Sequence, residues 1–198
     1  EACGGNYLHK QDTNGNPASG WTTWNIGLDG LYMAEPFLME CANAIDAGRL
    51  SLTDRDGKEV SSETIYQAVY DRFVWAADAM YDEASGLYHH GWNVSEGKGN
   101  GHFWGRGIGW YAAALVDVIE MMPEDDRKAV LIEKLPKLFD GMLNCQDADT
   151  GMWYNVVNRL GDLPGNILET SVSSMMAYSL MKAYNNGYVT DDKYGQAG

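Results

Sequence analysis

Arg106 stands among two tryptophans and three glycines in the stretch Trp104-Gly-Arg-Gly-Ile-Gly-Trp110. Beyond it, Ala112, Leu115, Val116 and Ile119 recur at i, i+3, i+4 and i+7, so a helix opens near Gly107 or Gly109. A cation in the first turn opposes the helix dipole by a few tenths to about 1 kcal/mol unless something negative faces it. Arg106 therefore reads as half of a pair. Backbone N–H groups left uncovered by the glycines could join the guanidinium in gripping an anion, with Trp104 and Trp110 as flat apolar walls for a sugar ring. The same residues allow a plainer reading, in which Arg106 pairs with a nearby carboxylate and the tryptophans are core.

Other residues can join such a site. Asp29 opens a second apolar stretch, as an N-cap or as an acid. Glu169 opens a third, where a carboxylate complements the helix dipole. His89 and His90 lie on an extended piece, so their side chains point to opposite sides and only one can face a pocket. Trp21, Trp24, Tyr32 and Trp153 are candidates for sugar contact or for packing.

The chain that must position them has 198 residues, 45% hydrophobic and 21% charged, which suits a single domain with a real core. A net charge of -14 argues against nucleic acid and anionic membrane surfaces as partners. No run reaches the roughly 18 apolar residues that span a bilayer, and EACGGNYLHK has no signal-peptide core. Cys3, Cys41 and Cys145 lie far apart in no metal-ligand spacing, and the last two read as small core residues.

Periodicity predicts helices near 29–47, 62–83, 107–122, 125–146 and 166–187, after an irregular segment over 1–19. Those at 62–83 and 125–146 are amphipathic, and Pro136 should kink the second. The other three carry apolar or small residues nearly all round and should be buried on most sides. The pattern D-x-x-[ST]-G-x-[YW] recurs at Asp82 and Asp147. In each copy the aspartate can close a turn and the glycine can supply positive φ. Repeated hairpins of inner and outer helices predict an all-α, double-layered α/α toroid. Asp29, Arg106 and Glu169, each at the start of an inner helix, would then meet at one mouth.

The segments FWGRGIGW, LDGLYMAEPFL and GNILETSVSSMMAYSLMKAY, in that arrangement along residues 20–192, resemble the unsaturated rhamnogalacturonyl and glucuronyl hydrolases of glycoside hydrolase families 105 and 88. The resemblance implies an (α/α)6 barrel of the six-hairpin glycosidase type, with no metal or cofactor. It implies an oligosaccharide substrate ending in a 4,5-unsaturated uronic acid, whose C4=C5 double bond is hydrated. Arg106, Trp104 and Trp110 would hold the carboxylate and sugar ring, His90 and Trp92 would contact substrate, and Asp29 matches the family aspartate before M-x-x-P-F.

Two departures qualify it. The family's acid/base aspartate follows an H-G-W segment, and here His90-Gly-Trp92 is followed by Asn93. An amide cannot give and regain a proton near neutral pH. A subfamily using another acid, Asp29 or Glu96, is one reading; a substituted variant and a protein that binds without turnover are the others. Asn93 would remain a substrate contact or serve as a turn residue in NVSEGKGNG. The second departure is length, since twelve helices with loops need roughly 350 residues. The chain corresponds to about half of a ring, whose open apolar faces would favour self-association. From other classes, a non-catalytic oligosaccharide-binding protein on the same scaffold and an α/α-barrel sugar epimerase remain. The epimerase would call for several histidines on inner helices, where only His102 stands near a helix start.

Overall fold

The computed structural model describes residues 26–160 and 162–198. Cys3, Trp21, Trp24 and the segment 1–19 lie outside the described residues. In chain order the elements are β1 (Ile26–Gly27), α1 (Gly30–Asp46), β2 (Leu52–Thr53), β3 (Glu59–Val60), α2 (Ser62–Ala79), β4 (Tyr81–Asp82) and β5 (Leu87–Tyr88). They continue with β6 (Gly91–Asn93), β7 (Lys98–Gly99), α3 (Gly105–Met121), α4 (Asp126–Leu143), α5 (Thr170–Asn185) and α6 (Asp192–Ala197).

Local chemistry sets most of these limits. Ser61 caps α2 by accepting from the Thr64 N–H at 3.2 Å, and Asp125 caps α4 by accepting from the Arg127 N–H at 2.9 Å. Helix α2 ends at Ala79, short of 83, because Tyr81 and Asp82 pair with Tyr88 and Leu87. Helix α4 continues past Pro136 to Leu143. The repeated turn closes alike in both copies. Asp82 accepts from the Ser85 N–H at 2.8 Å and Asp147 from the Thr150 N–H at 3.0 Å, while Gly86 and Gly151 take φ of 72° and 71°.

Helices α1, α3 and α5 lie side by side with α3 in the middle, and α2 and α4 back them. Starts meet starts: Tyr32 of α1 packs on Trp110 of α3 with ring centroids 4.4 Å apart. Ends meet ends, with the Asn43 amide donating to the Met121 carbonyl at 3.5 Å. The core lies between the layers, where Phe73, Tyr111, Leu115, Ile119, Phe139 and Trp153 are buried. Glycines let α3 and α5 approach closely; a Cβ on Gly109 would stand 3.1 Å from Met175.

Helices α1 and α5 each keep one side uncovered, as an open half-ring predicts. Met33, Phe37 and Tyr178 are 60%, 69% and 45% exposed, because the inner layer is covered on one side only. One charge of α1 is nonetheless fully buried. Glu35 receives Arg72 of α2 at 3.0 Å, and burial, outweighing the arginine, holds its carboxyl above the usual range.

Candidate active site

The site forms where the outer-to-inner connections enter the inner helices. Strand β1 pairs with β6, Gly27 opposite Gly91, and the Leu28 N–H donates to the His90 carbonyl at 2.8 Å. This places Asp29 beside the segment carrying His90. The His90 N–H in turn donates to the His102 carbonyl at 2.7 Å, joining both to the approach of α3.

Asp29 occupies the N-cap position of α1 in helical conformation, but its side chain makes no capping bond. Its Oδ1 is buried and accepts no hydrogen bond. The carboxyl group is thus not spent on the helix.

Arg106 lies in the first turn of α3 with its guanidinium 4.4 Å over the Trp104 ring. The edge of the His90 ring meets that indole at 4.7 Å and 81°. Trp104 is held by its Nε1–H, which donates to Asn155 Oδ1 at 2.9 Å. Opposite the helix dipole stands Glu169, the N-cap residue of α5, which accepts from Arg106 Nη1 and from the Ser171 hydroxyl. Glu169 makes no capping bond of its own.

The glycines also serve packing. The Gly105 N–H already donates to the Asn155 carbonyl at 2.8 Å, and Gly105, Gly107 and Gly109 are all buried. Each also makes room for a neighbour. A Cβ on Gly107 would stand 2.8 Å from His90 Nδ1, so this glycine is the seat of the histidine ring. His89 turns the other way, stacks on Phe103 at 5.1 Å, and has its pKa lowered by burial in spite of Asp82.

The remaining candidates separate. Trp110, one turn beyond Arg106, packs on Tyr32. Trp92 meets Trp75 of α2 edge-on at 5.6 Å. Asn93 is buried, and its Oδ1 accepts from the Ser95 N–H at 3.0 Å, the Ser95 hydroxyl at 2.8 Å and the Glu96 N–H at 3.2 Å. That oxygen organises the β6–β7 turn. Residues not singled out from sequence are Asn155, which fixes Trp104, and Arg159, which with His102, Val156 and Leu163 lines a cleft of about 260 Å³ beside Trp104.

A 24.9 kDa protein of the picA locus of Rhizobium radiobacter is 35% identical over 127 residues, 60% of this chain and 53% of that protein. The unsaturated 3S-rhamnoglycuronyl hydrolase of Alteromonas sp. (strain LOR) is 29% identical over 148 residues, 68% of this chain and 33% of that one. A solved glycoside hydrolase of family 105 from C. acetobutylicum ATCC 824 shares the fold with a TM-score of 0.71 at 29% identity, over 87% of this chain and 46% of that one. The chain spans about half the length, or less, of these relatives. Its hairpins are therefore part of an all-α, six-hairpin glycosidase ring. Together with the family's own sequence model, which matches residues 3–197, this shows that the chain belongs to Glycosyl Hydrolase Family 88.

Proposed function

We propose that the protein, with its ring complete, is a glycoside hydrolase acting on oligosaccharides that end in a 4,5-unsaturated uronic acid, the product of a polysaccharide lyase. The observation that carries this reading is the mouth itself. A half-exposed guanidinium on a tryptophan face stands at the start of α3, and an acid unspent on its helix stands at the start of the neighbouring α1. A uronate offers what this arrangement takes, a carboxylate for Arg106 and a flat ring for Trp104, with Trp110, Trp92 and His90 as further walls. The name of the Alteromonas relative supports the same substrate class.

In this reading Asp29, protonated, delivers its proton to C4 of the double bond. As the carboxylate it then takes a proton from the water that adds at C5, so water is added across C4=C5 and the acid is restored. The resulting hemiketal opens and releases the next sugar. Asn93 has no part in the proton transfers.

The test is the ultraviolet absorbance of the conjugated double bond when lyase-generated unsaturated oligouronides are mixed with the full protein. Its loss is expected, and Asp29→Asn should slow it by about 10²–10⁴-fold, the usual contribution of a positioned general acid. A full rate in that variant discards Asp29. Binding without any loss of absorbance would favour the second reading, an oligosaccharide-binding protein, which Asn93 at the family's acid position supports.

A further inference from the structure

The pair formed by Arg106 and Glu169 is lopsided: the arginine side chain is 40% exposed and the glutamate 12%. Only Nη1 of the guanidinium is engaged with the carboxylate, at Oε1, which also takes the Ser171 hydroxyl. The second carboxylate oxygen, Oε2, is buried and accepts no hydrogen bond. A buried acceptor left in this state is costly, and in a native structure it calls for an explanation such as a functional role.

Two roles fit a carboxylate on a clamp arginine. Glu169 could be a plug that a ligand carboxylate displaces, or a fixed support that stays while the ligand binds the other edge. Burial decides between them. Glu169 is the enclosed member, tied also to Ser171, while the solvent-facing edge belongs to Arg106. A ligand arriving from solvent meets the unused guanidinium edge first, and Oε2 belongs to the same carboxylate that holds that guanidinium.

We infer that Glu169 is the specificity-determining residue of this site: it fixes Arg106 on Trp104 and presents Oε2 to a hydroxyl of the ligand. The site then selects a hydroxylated carboxylate, a uronate, over a simple anion. The inference rests on the proposed carboxylate clamp but not on the reaction. Glu169 also cancels the charge of Arg106, so a bare anion gains little attraction, whereas a sugar acid gains a bidentate guanidinium contact and a charge-assisted hydroxyl bond.

Calorimetric binding of D-glucuronate and of acetate to the full protein tests this without turnover. Wild type should prefer glucuronate. Glu169→Gln, which keeps the shape and removes the charge, should weaken glucuronate about tenfold, the loss expected for one charge-assisted hydrogen bond, while acetate binds more tightly. Ser171→Ala, which leaves the ion pair intact and so protects folding, should shift the same ratio in the same direction by less. Tighter binding of both ligands to Glu169→Gln would make Glu169 a plug and overturn the inference. An unchanged ratio in both variants, or no glucuronate binding by wild type, would overturn it too. Glucuronate binding without hydration of unsaturated uronides would sink the proposed reaction and leave the inference standing.

Discussion

Ion pairing ties α3 to α5 and its N-cap in two places, at the mouth and along the wall, and the two are built differently. Along the wall, Lys182 reaches Asp117 at 2.8 Å, Glu120 at 2.5 Å and the Tyr178 hydroxyl at 3.2 Å, while that hydroxyl donates to Asp117 at 2.5 Å. Burial alone would depress the ammonium, but Asp117 and Glu120 outweigh it and hold Lys182 well above the ordinary lysine range. Each of its three protons has an acceptor. At the mouth, Arg106 gives one nitrogen to Glu169 and keeps the rest of its fork, and Glu169 keeps an unused oxygen. The wall pair is closed, and the mouth pair has capacity left over. Binding chemistry is to be sought in the second kind.

The comparison can be broken most decisively at Arg106. Arg106→Ala should weaken an unsaturated uronide by about 10–100-fold, corresponding to the 1.5–3 kcal/mol of a charge-assisted contact, and leave a neutral sugar of the same size nearly unaffected. Titration calorimetry with both ligands reads the difference, and equal losses would remove the clamp. Lys182→Met should do the reverse. It strands two carboxylates, one of them largely buried, and should lower stability by about 1–3 kcal/mol in denaturant titration, with uronide affinity unchanged. A strong loss of affinity there would mean that the wall belongs to the site.

Asn93→Asp sharpens the contrast with the smallest expected effect. Its Oδ1 already accepts three donors in the turn, and a carboxylate would satisfy the same donors. The variant should fold as wild type and change the hydration rate by no more than a few-fold. A rise of about 10² or more, the scale of a restored general acid, would return the acid to position 93.

Much of the scaffold was legible because burial imposes a period on the sequence. Leu115, Val116 and Ile119 could lie on one helix face and nowhere else, and the paired turn motifs marked where outer helices hand over to inner ones. Arg106 was legible through a conflict, a cation against a helix dipole. Its partner Glu169, 63 residues away, is linked to it by no local pattern and comes within reach only through the toroid, which gathers the inner helix starts at one mouth. The same holds for Glu35, a charge hidden in an apolar helix, which only the facing Arg72 makes tolerable. What the glycines of 105–109 admit is not legible locally, because a missing side chain looks alike in sequence whether it exposes a donor or admits a neighbour; what Gly107 admits, the ring of His90, comes from another part of the chain.

The connections on the two faces of the ring differ in what they carry. Inner helices pass to outer ones through 47–61, 122–125 and 186–191, which contribute nothing to the site. Outer helices pass to inner ones through 80–104 and 144–169, which contain His90, Trp104, Asn155 and Glu169. Residues 94–97, at the tip of the β6–β7 turn, are exposed and bear no part of the core. Lengthening or rewriting that tip would remodel the face that carries the outer-to-inner connections while every helix stayed where it is. A ring built this way can remake its rim without asking its core to fold anew.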